Sequence, residues 1–77
     1  IQVSSGIEIT RIEVKRVLPI KVKEVFEQAN TQISVLVHNG VSSICDAESL
    51  IEYGDLVVCS HHVRDRKKLT ELLVQED

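Results

Sequence analysis

Three groups of residues in this chain have types and spacings that chemistry can use. Cys59 precedes His61 and His62, and a third histidine, His38, lies upstream. A zinc site needs four converging ligands, or three plus water. Adjacent histidines on a strand point to opposite faces, so the pair reads as a strand end rather than as metal ligands. A cysteine–histidine nucleophile needs a third group to orient the base. No residue can be named for that task, nor any oxyanion-hole motif, and the chain reads as non-enzymatic. Arg64-Asp65-Arg66-Lys67-Lys68 is the most basic stretch. At a helix start acidic residues would suit the dipole better. The stretch reads as a solvated face, or as a phosphate-contacting patch if Lys15, Arg16, Lys21 and Lys23 fold beside it. In Gly54-Asp55 the glycine tolerates positive φ and the aspartate can accept backbone N–H groups, which is a structural turn and not catalysis. With three glycines in all, no Gly-rich phosphate loop is present.

The elements that must carry these groups follow from periodicity. Residues 1–6 include Ser4-Ser5-Gly6 and read as a flexible lead. From Ile7 the chain alternates, with Ile7, Ile9, Ile12 and Val14 apolar. The alternation slips at Thr10-Arg11, which permits a bulge, and the β-branched richness makes the segment a strand. Pro19 suits the first turn of a helix. Val22, Val25, Phe26 and Ala29 then recur at helical spacing, and Asn30 is a helix stop. Residues 31–38 form a second strand. Asn39-Gly40 is a strong hairpin signal, and residues 41–45 return. Residues 46–52 make a connection with about one helical turn. Residues 56–60 form a nearly unbroken apolar run, expected to be a strand buried on both faces. A last helix runs to Val74, with Val63, Leu69, Leu72 and Leu73 as its apolar positions. The order β-α-β-β-β-α, with a small mainly antiparallel sheet and two helices, is α+β.

Composition bounds the function. The chain has 77 residues, room for one domain. A domain this small buries only about 60% of its unfolded surface. Its core is thin, and a homodimer is expected to shelter it. Phe26 and Tyr53 are the only aromatics, so base-stacking surfaces are scarce. The net charge of −3, with nine basic and twelve acidic residues, argues against nucleic-acid binding and against an anionic membrane surface. No apolar run approaches the roughly 20 residues that span a bilayer, and no signal peptide is visible, so direct membrane insertion is not expected. Cys45 and Cys59 read as reduced core or half-core residues of a cytosolic protein. The start at Ile1 rather than Met suggests a single domain excised from a longer protein.

The run Asn39-Gly40-Val41-Ser42-Ser43-Ile44-Cys45, followed by Leu50-Ile51-Glu52-Tyr53-Gly54-Asp55-Leu56-Val57-Val58, resembles the second half of the C-terminal (TrkA-C) domain of RCK proteins. The closing Asp65-Arg66-Lys67-Lys68-Leu69-Thr70-Glu71-Leu72-Leu73 is similar to that family's last helix. The likeness covers residues 6–73 and rests on order and spacing. Ile20 stands where the family often has glycine before a kept lysine, Lys21, and Cys45 and Asp46 stand where it often has prolines. The resemblance implies a dimerising regulatory domain on the cytosolic face of the membrane. Such a domain reports ligand occupancy to a potassium or other cation channel, transporter or antiporter, its nucleotide-binding half being a separate domain. Some members bind cyclic di-AMP between two subunits, and the matching positions here are Gln32, Ile33, Ile44 and Cys45. Core packing is the other reading of Ile33 and Ile44. Two further classes remain: a protein-interaction module of β-grasp or small-barrel type, and the effector domain of a transcription regulator.

Overall fold

A computed structural model describes residues 1–75. Seven strands and two helices follow in the order β1 (Gln2–Ser4), β2 (Ile7–Glu13), β3 (Ile20–Lys21), α1 (Val22–Ala29), β4 (Gln32–His38), β5 (Val41–Ile44), β6 (Leu50–Ile51), β7 (Leu56–His62) and α2 (Arg66–Leu73). A single 3₁₀ turn, Val63–Asp65, leads into α2. The main sheet has the order β1-β2-β7-β4-β5, and β3 pairs with β6 in a separate ribbon. Every pairing is antiparallel. The class is therefore α+β with two helices and an antiparallel sheet.

One face of the sheet makes the core. Ile12, Ile33, Leu36, Val57 and Cys59 meet Val22, Val25 and Ala29 of α1 and Leu69 and Leu73 of α2, all buried. Val22, Val25 and Ala29 recur at the helical period, so an eight-residue helix can turn all three inward. Phe26 shares that period in the sequence but stands at the stripe's margin, 53% exposed. Asn30 stops α1 in the left-handed conformation, φ 50°, and its N–H bonds Phe26 O at 2.9 Å. Asn39 and Gly40 both have positive φ (50° and 78°), the geometry that lets a two-residue turn follow the twist of its strands. β4 and β5 pair directly across it.

Several expectations are corrected. β2 pairs with β7 without a register break from Ile7 opposite His62 to Glu13 opposite Leu56, so no bulge lies at Thr10-Arg11. Instead Glu8 and Thr10 share the core face with Ile12, because polar partners await them there. The irregularity falls in β4, between Ile33 and Val35. It allows Ile33 and Leu36, three residues apart, both to face the core. Pro19 precedes β3 and α1 begins only at Val22. The connection 46–52 contains a single hydrogen-bonded turn, Ser49 N–H on Asp46 O at 3.2 Å, and no helix. It contributes β6, paired with β3 through Ile20–Ile51 and Lys21–Leu50. Residues 2–4 form an edge strand rather than a free lead. β7 is buried on one face only: Val57, Cys59 and His61 are buried, while Leu56, Val58, Ser60 and His62 are half-buried.

Ile33 is wholly buried among aliphatic side chains. Ile33→Ala should therefore destabilise the domain by about 2–5 kcal/mol, the usual range for emptying an aliphatic core position. Urea unfolding followed by circular dichroism checks this, and a loss well below 1 kcal/mol would be inconsistent with the packing described.

Candidate functional site

The first turn of α1 is held by the chain segment that follows β5. The leading N–H groups of a helix have no partner within it. Here Val22 N–H bonds Ser49 O and Lys23 N–H bonds Ala47 O, both at 3.0 Å. That segment is itself folded by Asp46, whose Oδ1 accepts the Glu48 N–H at 2.9 Å and the Ser49 hydroxyl at 3.3 Å. Such a side chain-to-backbone turn is typical aspartate chemistry. Glu48 reaches back to Lys21 and Lys23 at 2.9 and 3.0 Å. The two ammonium groups hold the Glu48 carboxyl below its ordinary range, and Glu48 holds the Lys23 ammonium above its own.

Between α1 and this segment lies an open depression of about 270 Å³, lined by Val22, Lys23, Phe26, Glu27, Gln32, Asp46 and Ala47. A second, of about 200 Å³, also touches Phe26 and Gln32 and extends to Asn30, Ser60 and His62. Phe26 thus stands between two hollows with its ring half in water. A flat apolar ring, an amide that both donates and accepts, and a carboxylate at the far wall suit a planar, polar, heterocyclic group.

The positions singled out in the sequence do not all converge. Gln32 lines the depression, and Cys45 immediately precedes its Asp46 wall. Cys45 is half-buried, with its N–H on Ser34 O at 3.1 Å. Ile33 points into the core, while Ile44 is 84% exposed on the sheet's opposite face. Phe26 was absent from the expected set because its helical spacing reads as core. The signal for it is that Val22, Val25 and Ala29 already fill the buried stripe of so short a helix.

The reactive candidates also find their places. His61 is buried. Its Nδ1 lies 2.7 Å from His62 O, which can only accept, so Nδ1 carries the hydrogen, and Nε2 is hydrogen-bonded with the Thr10 hydroxyl at 2.8 Å. Glu8 sits 3.6 Å from that Nε2 and is clamped by Arg66 at 2.6 and 2.7 Å. The Arg66 guanidinium keeps the Glu8 carboxyl low. Burial, with Cys45 nearby, pushes the Cys59 thiol up to about 12. It stays protonated at neutral pH, and the thiolate a nucleophile needs is not formed. Among the described residues no three His, Cys, Asp or Glu side chains gather as metal ligands. Lys21 and Lys23 are engaged by Glu48, and Arg66 by Glu8. Arg16 donates to Leu18 O and Leu72 O. Four of the cations that a pooled phosphate patch would draw on, Arg16, Lys21, Lys23 and Arg66, thus already have partners within the chain. No helix among the described residues is long and apolar enough to cross a membrane.

Away from the depression, Asp55 forms the second polar centre. It is buried, its Oδ2 accepts the Glu52 N–H at 2.9 Å, and its Oδ1 contacts Nδ1 of His38. Gly54 supplies the positive φ of 88° that the turn requires. No family model matches this chain, and no curated protein matches it at a significant level.

Asp55 raises the pKa of His38 above its ordinary 6.5, first through the hydrogen bond and then through charge. A group whose folded pKa is raised contributes most below its unfolded pKa and loses that contribution as pH rises through the folded one. The gap in urea midpoint between wild type and His38→Gln should accordingly be widest near about pH 5.5 and narrow by about pH 9.5. An equal gap at both values would exclude the ion pair as its cause.

Proposed function

We propose that this domain is a ligand-sensing, dimerising regulatory module of a potassium or other cation transporter, channel or antiporter, acting without catalysis of its own on the cytosolic side. The carrying observation is the solvent-facing Phe26 beside the 270 Å³ depression whose walls include Gln32 and Asp46. Gln32 is one of the positions that the RCK likeness marks for a ligand, and Asp46 directly follows another. The chain's order of large elements, β-α-β-β-β-α, is also the one that likeness leads one to expect. The ligand class is a cyclic dinucleotide, with cyclic di-AMP first. Its base would lie on Phe26 and be read by the Gln32 amide, while its phosphates would need Lys23 to leave Glu48.

Sensing of this kind is a coupling of equilibria. A ligand that prefers one dimer geometry shifts the population towards it and passes that bias to whatever is attached. A second reading, a protein-interaction module, is favoured by a different observation, the half-exposed aliphatic side chains on the sheet's outer face.

Cyclic di-AMP at about 100 times its Kd should stabilise the folded state by about 2.7 kcal/mol. At roughly 4–8 °C per kcal/mol for a domain this small, Tm should rise by on the order of 10 °C. Differential scanning fluorimetry with cyclic di-GMP as the control reads this. Phe26→Ala and Gln32→Ala should lose the shift while keeping the unliganded Tm within about 2 °C of wild type, since both side chains are exposed. No shift with cyclic di-AMP at millimolar concentration would end the proposal.

A further inference from the structure

We infer that the sheet face opposite the helices is a self-complementary interface for a second copy of this chain, with Arg11 of each copy set against Glu13 of the other. The inference shares with the proposed function only the second copy and needs no ligand.

Antiparallel sheets with one open face ordinarily turn polar residues outward on it. Here two adjacent rows of the open face, beside the more polar rows Ile9–Ser60–Gln32 and Ile7–His62, form an apolar band. Arg11, Val58, Val35 and Ile44 stand side by side across four strands, and next to them stand Glu13, Leu56, Val37 and Ser42. Five of these eight side chains are aliphatic. Ile44 is 84% exposed and the other four are half-buried although no helix covers them. Such a contiguous patch on a small domain marks an interaction surface.

The charges specify the occupant. A two-fold axis running across the strands between the two rows lays each row of one copy over the other row of its partner. Val58 then meets Leu56, and Val35 meets Val37. Arg11 and Glu13, both exposed and in no ion pair among the described residues, pair twice by symmetry. A two-fold interface requires this reciprocity, residue i on j and j on i. It also corresponds to the ordinary aligned packing of two sheets.

Sedimentation velocity of the whole chain at about 50 µM should give a dimer, a concentration at which interfaces of standard size are populated. Arg11→Glu and Glu13→Arg should each raise the dimer Kd at least about tenfold by opposing like charges. The double variant R11E/E13R should restore it to within about threefold of wild type, because the pairing is merely exchanged. Val58→Glu should give a monomer whose circular dichroism is that of the wild type. A dimer indifferent to all of these, or a double variant no better than the singles, would overturn this face while leaving a dimeric sensor standing on another surface. A wild-type monomer at that concentration would overturn the face and the dimer together. The cyclic dinucleotide melting shift is read separately from either.

Discussion

The buried carboxylate of Asp55 is the constraint from which one end of the molecule is organised. An ionisable group out of water must have partners or be neutralised, and Asp55 has them from two directions, the Glu52 N–H and the His38 ring. The turn it closes is stitched to the end of β2 by the backbone as well. Val14 N–H bonds Asp55 O at 2.7 Å and Gly54 N–H bonds Val14 O at 2.8 Å. A single turn therefore ties the end of β4, the exit of β2 and the entry to β7. Those are the three strands whose mutual register decides which side chains enter the core.

β7 inherits that register and distributes it. As the central strand it pairs with β2 on one side and β4 on the other, so a one-residue slip would turn Val57, Cys59 and His61 outward together. His61 is a polar residue in this buried row. It is accommodated because His62 O and the Thr10 hydroxyl satisfy both ring nitrogens. Its tolerance explains why Glu8 and Thr10 occupy the core side of β2 without a bulge. Towards the Arg66 end the helix-facing layer is a polar cluster; towards Leu36 and Ile12 it is aliphatic.

Much of this was legible in the chain. The hairpin at Asn39-Gly40, the stop at Asn30, the turn at Gly54-Asp55 and the two helices were readable because each rests on a residue with a local conformational preference. β3 and β6 were not. They are two residues long and exist only because Ile20 and Ile51 meet across a long loop, which no local pattern encodes. The strand assignment of residues 56–60 was sound, but an apolar run cannot tell a strand covered on both faces from one whose second face stays half-open. Phe26 shows the same limit from the other side. Helical spacing marks a position as available to the core, and only the width of the actual stripe decides whether it is used. Of the marked ligand positions, Gln32 and the neighbourhood of Cys45 lie at the depression. Ile33 and Ile44 were grouped with them by likeness of sequence, and strand alternation with the β4 irregularity sends them to opposite faces.

The hollow beside Phe26 and the open sheet face are joined by the shortest path the chain offers. Ile44 ends β5 on the open face; Cys45 follows with its N–H on Ser34 O; Asp46 and Ala47 then form the wall of the hollow, and Ala47 O and Ser49 O hold the first turn of α1. A ligand that pulled Asp46 from its present partners would act two residues from Ile44 and the proposed interface. Coupling needs no long pathway in that case. It needs only that the arrangement of residues 45–48 favoured by the ligand differ in free energy between the paired and unpaired states of β5, for without such a difference occupancy would shift nothing. β5 is short, exposed along its whole length and bound on one side only. It is accordingly a strand whose position costs little to bias.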